Sequence, residues 1–64
     1  MSETWLRGEP VRATKTIMSD LHGRAHEGPA VTGVVADDDG IAHIWVRGND
    51  GKLYAAYRDD VEAL

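Results

Sequence analysis

Hydrophobic and polar positions alternate most clearly over residues 30–58, AVTGVVADDDGIAHIWVRGNDGKLYAAYR. Three β-rich runs are separated there by Asp39-Gly40 and Asp50-Gly51. Asp-Gly between such runs marks a hairpin, because a primed two-residue turn needs positive φ. The pattern predicts a three-stranded antiparallel meander whose middle strand is apolar on both faces.

Two-residue turns at both sites would pair Arg47 with Tyr54, Trp45 with Ala56 and His43 with Arg58, and would set Val34 opposite Trp45. Side chains alternate between faces along a strand. One face then carries Val31, Val35, Ile44, Val46, Leu53, Ala55 and Tyr57 and is the expected core. The other carries Val34, His43, Trp45, Arg47, Tyr54 and Arg58, with Thr32, Ala36 and Ala56 between them. A three-residue loop at the second turn would turn the last strand over and take Tyr54 off this face. Trp45 keeps its place in either register.

A sheet usually buries one face in its own core, so a second apolar face centred on Trp45 calls for a cover. That cover is either the chain's own N-terminal segment or long loop, or a partner. Trp, Tyr and Arg are the residues enriched at interaction hot spots. The candidate binding residues are therefore Trp45, Tyr54, Arg47, His43, Arg58 and Val34, in a non-enzymatic module that binds another protein or a second copy of itself. The alternative is a nucleic-acid platform, with bases stacked on the same aromatics and Arg.

Upstream, residues 1–9 form a polar lead carrying Trp5 and Leu6. Trp5 either packs on the domain as a lid or adds to a docking surface. Val11–Met18 is rich in β-branched residues and reads as one first strand. Pro10 stands at its start, where a missing ladder donor is tolerated. Residues 19–29, SDLHGRAHEGP, read as a long loop. After the meander, Asp59 or Asp60 is placed to cap a single helical turn, with Val61 and Leu64 both directed at the core.

Length and composition narrow the classes. Sixty-four residues make one domain, and chains this short bury only about 60% of their unfolded surface. There is no cysteine, which removes disulfides and thiolate zinc sites, fits a cytoplasmic setting and makes oligomerisation a natural staple. The N-terminal stretch has no signal-peptide pattern, and no apolar run approaches the length of a membrane span. A net charge of -4 weighs against non-specific nucleic-acid binding.

Candidate chemistry is sparse. His22 and His26 have a helical metal-ligand spacing, but Gly23, Gly28 and Pro29 argue against a helix there. Asp37, Asp38 and Asp39 form an acidic turn without EF-hand spacing and read as solvated. Ser2 and Ser19 lack a nucleophile-elbow motif, and no glycine-rich loop opens a helix. No catalytic residue, metal site or cofactor is expected.

The order of strand, long loop, meander and single helical turn before a last short β segment resembles a small SH3-like barrel. The resemblance rests on Val11–Met18, on Gly33–Val35 and on the closing YRDDVEAL of Tyr57–Leu64. It implies an all-β domain of about five strands over residues 10–64, preceded by the lead of residues 1–9. The aromatic ALYDY-like stretch of peptide-binding SH3 domains is missing, so recognition of proline-rich ligands does not carry over. Bacterial and phage proteins of this shape are mostly accessory or adaptor modules, which is an analogy of fold.

Overall fold

The computed structural model describes residues 5–64. The first four positions of the expected lead, Ser2 among them, lie outside the described residues. The described chain is all-β apart from one 3₁₀ turn, and its strands form a curled antiparallel half-barrel. The strands are β1 (Pro10–Ala13), β2 (Thr16–Ser19), β3 (Ala25–Gly28), β4 (Val31–Asp38), β5 (His43–Gly48), β6 (Leu53–Tyr57) and β7 (Val61–Ala63), with the 3₁₀ turn at Arg58–Asp60. They lie in one sheet in the order β3-β2-β6-β5-β4-β1-β7.

Seven strands stand where about five were expected, for two local reasons. The first strand breaks at Thr14-Lys15, where the Thr14 amide and hydroxyl both donate to the Asp60 carbonyl (2.8 and 3.2 Å). The chain turns there, and β2 leaves β1 to join β6 through Ile17 opposite Ala55. The segment expected as a loop is a hairpin instead: β3 pairs with β2, Ile17 opposite Glu27 and Met18 opposite His26. Its turn is held by Asp20, whose Oδ1 accepts the amides of His22 and Arg24 (2.8 and 2.9 Å). Gly23 supplies the positive φ of 77°. The Asp20 carboxyl lies below its usual range, first because His26 bonds to it and then because the Arg24 amide does.

The expected meander is present, in a different register. Residues 49–51 form a three-residue loop, closed by Gly48 N–H to the Lys52 carbonyl (2.9 Å), with Gly51 at φ 86° in the left-handed position such loops require. Val46 therefore faces Tyr54, Ile44 faces Ala56 and Trp45 faces Ala55. Between β4 and β5 the pairs are Val34 with Arg47 and Val35 with Val46, then Asp37 with Trp45 and Asp38 with Ile44. Ala36 is the extra residue of a β-bulge, which reverses the alternation beyond it.

The core lies on the concave side: Val11, Ala13, Val35, Ile44, Val46, Ala56 and Val61 are buried. Leu53, Ala55 and Tyr57, expected in the core, lie on the outer face because the odd loop inverts β6. Ala56 takes their place. Val61 reaches the core as expected, whereas Leu64 stays 70% exposed. The 3₁₀ turn has no side-chain cap, so neither Asp59 nor Asp60 fills that role. Trp5 packs against the core cluster, on the side opposite Trp45. The lead runs beside β4, with Gly8 N–H to the Val35 carbonyl (2.8 Å) and Val35 N–H to the Glu9 carbonyl (2.9 Å). Trp5 is thus a lid on the core and leaves Trp45 uncovered. Among the described residues no helix is long and apolar enough to cross a membrane.

Candidate interaction face

The outer face is built from strand pairs. One row crosses five strands: Glu27 on β3, Ile17 on β2, Ala55 on β6, Trp45 on β5 and Asp37 on β4. Trp45 sits near its middle with 43% of its surface exposed. A second row runs from Leu53 through Arg47 to Val34, and a third holds Tyr57 beside His43. Leu53 and Tyr57 are 52% and 50% exposed. The rings of His43 and Tyr57 lie 5.2 Å apart, tilted by 32°. A groove of about 390 Å³ opens along this face, lined by Ile17, Trp45, Leu53 and Ala55, with Met18 bordering it from the other face of β2. On the far side of Tyr57 a second hollow of about 420 Å³ lies between the β2–β3 hairpin and the 3₁₀ turn, with Lys15, Glu27 and Asp59 on its rim.

Of the six residues expected here, four share the face: Trp45, Arg47, His43 and Val34. Arg47 Nη1 donates to the Gly51 carbonyl (3.3 Å), which steadies it across the hairpin end. His43 Nδ1 lies 3.4 Å from Asp39 Oδ2. The Asp39 carboxyl is held below its usual range chiefly by the Ile41 amide that it accepts.

The other two positions are corrected. Tyr54 faces the Val46 side and only borders the end of the groove. Its hydroxyl donates to Asp50 Oδ2 (2.6 Å), which raises the phenol above its ordinary value and lowers the carboxyl. Its role as the second aromatic of the face passes to Tyr57. Arg58 sits at the start of the 3₁₀ turn, bound to Asp38 through Nη2 to Oδ1 and through Nη1 to Oδ2 (3.1 Å). The Asp38 side chain is only 3% exposed and that of Arg58 20%. The acidic turn read as solvated thus contains a nearly buried carboxylate, because the bulge at Ala36 turns Asp38 inward beside Ile44. Asp38 also accepts the amides of Trp5 (3.0 Å) and Gly40 (2.8 Å). The Arg58 guanidinium is the main reason its carboxyl is lowered to about 2.

Sequence reasoning missed Leu53, Tyr57, Ile17 and Glu27 as members of the face. The signal that would have found the first two is the Asn49-Asp50-Gly51 triplet, since a three-residue hairpin places glycine third. His26 Nε2 bonds to Asp20 Oδ2 (2.7 Å), and among the described residues no three metal-ligating side chains converge. Comparison with protein-family models, with curated proteins and with solved structures finds no match.

Proposed function

We propose that this chain is a non-enzymatic protein–protein interaction module, an adaptor, inhibitor or assembly subunit, that binds through the outer sheet face anchored by Trp45. One observation carries the reading: Trp45, Leu53 and Tyr57 are exposed large apolar side chains on one face, and Trp45 and Leu53 line one groove with Ile17 and Ala55. Scattered surface hydrophobes need no explanation, whereas a contiguous apolar patch with a polar rim marks a contact surface. The rim is present, with Arg47 and Lys52 at one end and Glu27 at the other.

The element order supports a small SH3-like barrel as the scaffold. The hairpin-bearing excursion follows the first strand, the meander comes next, and the last strand returns beside the first after the 3₁₀ turn. A cytoplasmic setting fits the lack of cysteine. The nucleic-acid reading loses support from charge. The Trp45 row begins at Glu27 and ends at Asp37, and Arg58 is committed to Asp38. That reading requires oligonucleotide binding that weakens steeply with salt, and a titration at low salt is expected to give no complex.

The test is Trp45→Ala. A half-exposed tryptophan on the outer face of a strand can be truncated with the fold retained, so the variant is expected to keep the native far-UV spectrum and a cooperative melt while losing association. Global unfolding of the variant would place Trp45 in the structural framework and end the proposal.

A further inference from the structure

We infer that the occupant of the Trp45 face is a second copy of this chain, so that the working unit is a face-to-face homodimer; this rests on reading that face as an interaction surface. The thinness of the core comes first. Among the described residues the buried apolar set is valine, alanine and one isoleucine, with Trp5 and Val31 only partly buried against it. A single core in a chain of this size rarely supplies enough stability alone, and oligomerisation is one of the usual remedies. Large apolar side chains that would thicken such a core are gathered on the outside, at Trp45, Leu53 and Tyr57. A second copy laid on them makes the outer face a second core.

Area agrees. A free aromatic side chain offers roughly 150–250 Å², so Trp45 and Tyr57 at 43% and 50% exposure leave about 200 Å² bare between them. With Leu53, Ile17 and the Arg47 stem, one face presents roughly 400 Å², and with the polar rim of Lys52 and Glu27 two faces together approach the roughly 1,000 Å² that a biological interface should clear. Charge agrees as well. The molecule carries -4 overall, which makes two copies repel. On this face Arg47 and Lys52 offset Glu27 and Asp37, so two copies meet here with little repulsion.

Sedimentation of the full chain, from low micromolar to submillimolar, reads the inference directly. The expected mass is twice the 7.0 kDa of one chain at the top of the range, falling toward one chain on dilution. Trp45→Glu and Leu53→Glu each set a carboxylate in the patch and are expected to weaken the dimer by roughly thirtyfold or more. Arg47→Glu, at the rim, reverses a charge while leaving Trp45, Leu53 and Tyr57 in place, so it tests the same face should the other two fail to fold, and it too should favour the monomer. A chain monomeric throughout, or a dimer untouched by all the folded variants, overturns the inference. A monomer that retains another protein through Trp45, and loses it in Trp45→Glu, overturns the second copy while leaving the interaction face standing.

Discussion

Asp38 ties three separate parts of the chain together. It joins the N-terminal lead through the Trp5 amide, its own turn through the Gly40 amide and the C-terminal 3₁₀ turn through Arg58. Its folded-state pKa of about 2 lies below the ordinary 3.8. A carboxylate depressed on folding contributes fully above its unfolded pKa and loses that contribution as pH falls through the folded value. Acid unfolding of the native chain should therefore steepen between about pH 4 and pH 2. Asp38→Asn should lower the melting temperature at neutral pH and flatten that acid limb, as followed by circular dichroism against pH. Residue identity alone placed Trp45, because its side follows from the buried neighbours Ile44 and Val46 in any register. Tyr54 and Tyr57 could not be assigned that way, since their sides hinge on whether the preceding loop has an even or odd number of residues. Asp38 was hidden for a similar reason: one bulged residue decides whether it meets solvent or Arg58.

Among the elements, the meander was legible and the β2–β3 hairpin was not. The meander announces itself by β-branched residues and glycine turns. Residues 25–28, Ala-His-Glu-Gly, have little intrinsic preference for a strand, and their conformation comes from pairing with β2 and from the Asp20 clamp at the tip. Asp20→Ala removes the acceptor of two amides. Faster hydrogen exchange is expected at His22 and Arg24, with Ile44 unaffected, and uniform exchange across the sheet would contradict a local role. Gly33 lies close against the backbone of β5, where an added Cβ would collide with the Arg47 carbonyl and Gly48. Only backbone movement could relieve that clash. Gly33→Ala should cost about 3 kcal/mol, at the upper end of the usual overpacking penalty, measurable by urea denaturation.

Across the whole molecule, the all-β class followed from alternation and turns, whereas the strand count did not. Nothing local in Val11–Met18 shows that the chain bends at Thr14, because the bend is fixed by Asp60, distant in sequence. The sheet's outer face and the small core belong together at this scale. If the patch is closed by a second copy, unfolding is linked to dissociation and the melting temperature rises with protein concentration. A melting temperature independent of concentration would show that the folded chain stands alone.

The placement of β1 between β4 and β7 also has a consequence for how the chain reaches its fold. Val11 hydrogen-bonds into a ladder with Ala63, nearly the whole chain away, while β4, β5 and β6 are joined by short loops. Closing so large a loop is entropically expensive until other contacts exist to reward it. The meander is therefore expected to be ordered in the folding transition state and the β1–β7 seam to form after it. Substitutions at Ile44 or Val46 should slow folding, and substitutions at Val11 or Val61 should chiefly speed unfolding, which stopped-flow chevrons would separate. A seam that closes last is also the first to open, so brief departures of β7 would expose Val61 and its core neighbours while the meander stays intact.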